Sequence, residues 1–157
     1  MRTSVDVHNF LLERDVPHEL VSLRGRLRSP GRMARIAAVL GLPPDQVGKV
    51  VLLRTRKSLV AVLVPSNRDA HLGRVARTVA TASLTEVPPE VATELTEYLA
   101  EALPPVALPE GTRVVIDPSL ADQEVLYFAG GEATSMLKIR AEDLIRTTEA
   151  KVARVAR

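Results

Sequence analysis

Two apolar runs, Val50-Val51-Leu52-Leu53 and Leu59-Val60-Ala61-Val62-Leu63-Val64, stand five polar residues apart in this 157-residue chain. Both are rich in β-branched residues, and neither alternates apolar with polar. That pattern marks strands covered on both faces, as in the middle of a sheet packed between two layers. Arg54, Thr55, Arg56, Lys57 and Ser58 form the polar turn between them. The runs are far shorter than the roughly 20 residues that cross a bilayer, and residues 1–6 lack the apolar core of a signal peptide. The expectation is one soluble, cytoplasmic domain over residues 1–157, a length that buries roughly 70% of the unfolded chain's surface without staples.

The remaining pattern interleaves helices with short strands. Thr3 or Ser4 caps a first helix that carries Asp6 in its opening turn and Val7, Phe10 and Leu11 on one face, and Pro17 ends it. His18 begins a short strand. Met33, Ile36, Ala37 and Leu40 form a helical stripe that Gly41 closes. Leu72, Val75, Ala76 and Val79 give another helix, and a further one starts at Pro88-Pro89 and runs at least to Thr96. Apolar stretches at 106–108, 113–116, 125–129 and 136–139 follow, then a helix over 141–147 and a short C-terminal one over 150–155. Hairpin-like and crossover connections both occur, so the expected fold class is α/β with a mixed sheet of about six to seven strands.

Composition removes several chemistries. Without cysteine there is no disulfide, thiolate nucleophile or cysteine-based metal centre. The three histidines, His8, His18 and His71, lack metal-ligand spacing, so neither a metal nor another cofactor is expected. No GxGxxG, P-loop or GxSxG motif is present. Arginine outnumbers lysine 17 to 4, and Arg24, Arg26, Arg28, Arg32 and Arg35 crowd around Gly25, Pro30 and Gly31. A basic loop entering a helix suits the phosphate backbone of RNA, because the guanidinium grips phosphate bidentately. At 3% aromatic content a base-stacking platform is not available. Lys49 is a lone lysine opening a buried strand, a place where a cation needs a reason. Glu86, Glu90 and Glu94 recur every four residues and read as a solvated acidic helix face.

The order of segments resembles the YbaK and prolyl-tRNA editing-domain family over nearly the whole chain. The likeness rests on Leu42-Pro43-Pro44-Asp45-Gln46-Val47-Gly48-Lys49, the buried run ending at Pro65, residues 72–79, and Val114-Val115-Ile116-Asp117. It continues through Tyr127-Phe128-Ala129-Gly130-Gly131 and Glu142-Asp143-Leu144. The resemblance implies a sheet partly closed around a pocket, with helices outside. It also implies hydrolysis of the ester joining a wrong amino acid to the 3′ end of a tRNA, of the tRNA(Pro) type. Mischarged tRNA is then the partner, with an aminoacyl-tRNA synthetase as a second, and neither a metal nor a side-chain nucleophile takes part.

By the same resemblance, Lys49 is the catalytic residue and orients the aminoacyl-adenosine end. A glycine-rich GxxxP loop supplies backbone N–H groups beside the scissile carbonyl, and positioning with oxyanion stabilisation suffices for an activated ester. Here Pro105 matches the motif proline, but Glu101 stands at the motif glycine and Ala102 at a second one. Glu97 replaces a further glycine, and Leu95, Tyr98, Leu99 and Ala102 take helical spacing, so the preceding helix is expected to run through the loop. Leu23 stands where some members carry a pocket tyrosine, and Gly130 and Gly131 read either as pocket wall or as a tight turn. Arg24, Arg26, Arg28 and Arg32 are the expected RNA contacts. Two functions follow: a trans-acting deacylase, or a catalytically silent relative that binds tRNA or a nucleotide-like ligand because Glu101 fills the glycine's place.

Overall fold

The computed structural model describes residues 1–23 and 31–157. In chain order the elements are α1 (Ser4–Glu13), β1 (His18–Ser22), α2 (Arg32–Leu40), β2 (Gly48–Arg54), β3 (Leu59–Pro65) and α3 (Leu72–Thr78). Then come β4 (Thr85–Glu86), α4 (Pro89–Thr96), β5 (Arg113–Ile116), α5 (Pro118–Ala121), β6 (Val125–Ala129), β7 (Ser135–Arg140), α6 (Ala141–Thr148) and β8 (Lys151–Val152). They build a five-stranded sheet of order β4-β2-β3-β5-β8 and a three-stranded sheet of order β1-β7-β6.

The two apolar runs are the central hairpin. β2 and β3 pair antiparallel from Gly48↔Pro65 to Arg54↔Leu59, and β5 joins β3 in parallel, so the larger sheet is mixed. Every residue of β3 after Leu59 is buried. Its period of two divides them: Ala61 and Leu63 enter the main core with Leu52, Ile116, Leu126 and Phe128. Val60, Val62 and Val64 enter a second cluster with Leu53, Val75, Val79 and Val115. α3 covers this second face through Val75, while Val7 and Leu11 of α1 and Leu144 of α6 close the first. Each such side chain contributes roughly 1.5–3 kcal/mol of burial.

The smaller sheet is antiparallel throughout. It meets the larger one through a parallel bridge between Val47 and Tyr127, without closing into a barrel. Beside that bridge, a Cβ at Gly48 would run into the Phe128 ring, so only glycine lets β2 begin this close to β6.

Three expectations give way to tertiary contacts. The C-terminal segment is not helical: β8 pairs with β5, and Ala156 bridges Ala70. Asp117 holds this tail. Its Oδ1 accepts the N–H groups of Val155 and Ala156, both at 2.9 Å, while its Oδ2 caps α5 through the N–H and hydroxyl of Ser119. Second, Glu86 lies on β4 rather than on a helix, so the acidic spacing does not share one helical face. Third, strands number eight among the described residues because β4 and β8, two residues each, form only through their neighbours.

Burial alone would raise the Asp117 carboxyl, but the four hydrogen bonds outweigh it and hold the group below its ordinary 3.8. A depressed folded value means that its stabilisation is complete above the unfolded value and disappears as pH falls through the folded one. Asp117→Asn should therefore lower unfolding stability by about 2 kcal/mol near neutral pH. In urea titrations the wild-type advantage should shrink below pH 3.8; a constant difference down to pH 2 would contradict this account.

Candidate functional site

A cavity of about 220 Å³ opens at the Gly48–Pro65 end of the central hairpin. Four parts of the chain line it: Lys49 and Val50 of β2 with Ser66 just after β3; Gly31, Arg32 and Met33 at the start of α2; Ala100, Glu101 and Leu103; and Ala129 at the end of β6.

Strand alternation puts Lys49 on the face of Val51 and Leu53, opposite Val64. Near the end of the β2–β3 pairing, its side chain reaches the sheet end instead of the core, and the ammonium meets Asp69 Oδ1 at 3.1 Å. The lysine side chain is 27% exposed and the aspartate 72%, so the pair contributes at most about 1 kcal/mol and leaves the cation available.

Arg32, grouped by sequence with a solvated basic loop, is instead buried, at 5% exposure. Its Nη1 donates to the carbonyl of Glu101 (3.0 Å) and its Nη2 to that of Ala133 (2.6 Å). It thus ties α2 to residue 101 and to the turn between β6 and β7. Nε is buried without a partner. Desolvation pulls the guanidinium below its usual range, and the nearby Glu101 charge opposes that shift. The expected exposed contact is therefore a wall of the cavity. Its signal was present in the sequence: Arg32 stands four residues before Ile36, on the apolar stripe rather than opposite it.

The segment after α4 is not the expected helical extension. α4 stops at Thr96, and Glu97 takes a left-handed conformation (φ 65°). The side chains around it compete successfully with helical spacing. Thr96 Oγ1 accepts the Tyr98 N–H, and Thr93 Oγ1 accepts that of Ala100. Tyr98 is fully buried, with its hydroxyl donating to Ala107 O. A single 3₁₀ turn, Ala100–Ala102, then carries Glu101 to the cavity rim.

Of the expected pocket residues, Lys49 and Glu101 line the cavity. Ala102 and Pro105 are buried behind it, and Ala102 O accepts the Gly131 N–H. Gly131 serves a turn: its φ is 96°, and a Cβ there would press on the Thr3 carbonyl. Gly130 N–H closes the same turn onto Ser135 O. Leu23 packs on the cluster of Met33, Ile36 and Ala129, next to the cavity lining. Arg24, Arg26 and Arg28 lie outside the described residues. Ser66 and Asp69 were not singled out from sequence, since nothing local distinguishes them from ordinary loop residues. The histidines stay away from the cavity: His71 caps α3, and His8 Nδ1 faces His18 Nε2 at 2.8 Å. Among the described residues no group of three metal-ligating side chains forms, and no helix is long and apolar enough to cross a membrane.

A profile of the aminoacyl-tRNA editing domain matches residues 31–147, which contain every wall of the cavity. The chain belongs to the aminoacyl-tRNA editing domain family. Solved structures repeat the editing-domain fold. One hypothetical protein superposes with a TM-score of 0.88 at 24% identity, covering 97% of this chain and 99% of its own. A candidate trans-editing enzyme for prolyl-tRNA synthetase gives 0.85 at 23%, covering 98% and 96%. The fold also recurs inside a larger candidate signal transduction protein from Marinobacter aquaeolei VT8, at 0.68 and 19%, covering 97% of this chain and 30% of that one.

Within this editing domain, two substitutions probe what holds the cavity wall. Glu97→Gly relieves a left-handed non-glycine residue and should raise stability by about 1 kcal/mol, a Tm gain of roughly 2–4 °C. Arg32→Ala orphans the buried Ala133 carbonyl and the half-buried Glu101 carbonyl and should lower stability by about 2 kcal/mol. Equal Tm values for wild type and both variants in calorimetry would refute this view of the wall.

Proposed function

We propose that the protein is a trans-editing aminoacyl-tRNA deacylase, active in the cytoplasm as one domain over residues 1–157. It removes the amino acid from tRNA that a synthetase has mischarged, on a tRNA of the tRNA(Pro) type. The observation that carries this reading is the cavity itself. The family's characteristic lysine, Lys49, lies on one wall, and the segment matching the family's loop, entered by a single 3₁₀ turn, lies on the other. The reaction adds water across the ester: an oxygen–carbon bond forms at the acyl carbon, the bond to the ribose oxygen breaks, and that oxygen takes up a proton. Lys49 orients the aminoacylated end, Glu101 and Leu103 line the acyl pocket, and the turn at Gly130 and Gly131 braces that wall through Ala102 O. Leu23, packed behind it, tunes which side chain is accepted. Arg24, Arg26 and Arg28 meet the acceptor stem, while buried Arg32 acts from the cavity wall.

One observation favours a second reading. Glu101 brings a carboxylate to the cavity rim where the family carries glycine, which suits a domain that binds a tRNA end or nucleotide-like ligand without cutting it.

Deacylation of labelled alanyl-, seryl- and cysteinyl-tRNA(Pro) separates the two. The deacylase reading expects hydrolysis by wild type, loss of at least about a hundredfold in Lys49→Ala, and little change in Glu101→Gly. An unchanged rate in a folded Lys49→Ala protein refutes it. Hydrolysis that arises only in Glu101→Gly establishes the silent binder.

A further inference from the structure

Further hollows lie away from Lys49, at the opposite end of the central hairpin. Three adjoining cavities of about 400, 560 and 310 Å³ share Arg113 and Val79, then Thr55, Lys57 and Ser58, then Thr112. Together they make one concavity around the β2–β3 turn, the start of β5 and the segment after α3.

Its charge is lopsided. Arg54, Arg56, Lys57, Arg113 and Lys151 line it against two acids, Glu110 and Glu149. All five cations are exposed. Among the described residues, none of these five forms an ion pair with a carboxylate within 4.0 Å. Instead, Arg113 donates to Val79 O and Lys151 to Thr78 O, contacts that fix each side chain while leaving donors over. The hydroxyls of Ser58 and Ser83 line it too, while those of Thr55, Thr81, Thr112 and Thr148 donate to backbone carbonyls. Cations without a carboxylate partner and with donors to spare are the groups that contact phosphate. No aromatic side chain is present to anchor a protein partner.

We propose that this concavity binds the phosphate backbone of the RNA whose 3′ end enters the Lys49 cavity. The inference rests on the tRNA reading of that cavity and adds a surface the sequence did not suggest. From Lys49 to Arg54 is five residues of extended strand, about 17 Å. A duplex stem can therefore rest on the β2–β3 turn while its single-stranded end reaches the cavity.

The test measures fluorescence anisotropy of uncharged tRNA(Pro) with full-length protein from 50 to 300 mM salt, so that hydrolysis plays no part. Arg56→Gln/Lys57→Gln alters two exposed side chains on the turn. It should weaken binding roughly tenfold and flatten the slope of log affinity against log salt by about 1.5. Lys138→Gln/Arg140→Gln, on the smaller sheet, is the matched control and should bind as wild type does. Wild-type affinity and slope in the turn variant, an equal loss in the control, or binding of polyglutamate in preference to tRNA would overturn the proposal. A deacylation failure alongside the expected binding pattern would refute the catalytic reading and leave the RNA surface standing.

Discussion

Burial of β3 on both faces is the constraint from which the rest of the architecture follows. A strand carrying valine to one side and alanine and leucine to the other cannot sit at a sheet edge or under a single layer without exposing apolar surface. It requires a hydrogen-bonded neighbour on each flank, which β2 and β5 supply, and a covering layer on each face. On one face α3 and the C-terminal tail provide that layer; on the other, α1, α6 and the smaller sheet do. Asp117 sits where these obligations meet. Its own N–H donates to Leu63 O of β3, while its carboxylate holds the tail.

A strand pair so constrained has two ends where the core stops and polar side chains can gather. At one end Lys49 escapes the core with help from Gly48, which lets Phe128 close under it. At the other, the polar turn projects beyond the sheet with its cations unpaired. The same register that packs the core thus fixes the spacing between the candidate chemical site and the basic concavity. Neither could slip by one residue without turning Lys49 inward or placing Val50 in its stead.

The wall opposite Lys49 illustrates how contacts between segments override helical spacing. Glu97 holds a left-handed conformation that ends α4, and the chain then makes a single 3₁₀ turn at Ala100–Ala102 in place of a longer helix. Two threonine hydroxyls, the buried Tyr98 and the Arg32 guanidinium supply hydrogen bonds and packing that outweigh a strain of about 1–3 kcal/mol per unfavourable residue. This support comes from α4, α2, Arg2 and the turn at Gly131 as well as from the segment itself, so local composition alone cannot forecast it.

The features readable along the chain are those governed by local pattern. The doubly buried hairpin, the Thr3 and Gly41 helix ends, the mixed sheet and the family likeness were all legible, because apolar periodicity and capping chemistry act over a few residues. So was Lys49, since a lone cation opening a buried run breaks its pattern. Only the tertiary structure decided the rest. The two-residue strands β4 and β8 exist because a neighbour offers unpaired backbone groups, and the expected terminal helix yields to Asp117. Arg32 faces inward because two carbonyls distant in sequence, those of Glu101 and Ala133, converge on its stripe. The basic concavity gathers residues from 54 to 151 that no linear spacing relates. In each case the deciding energy is a contact between segments far apart along the chain.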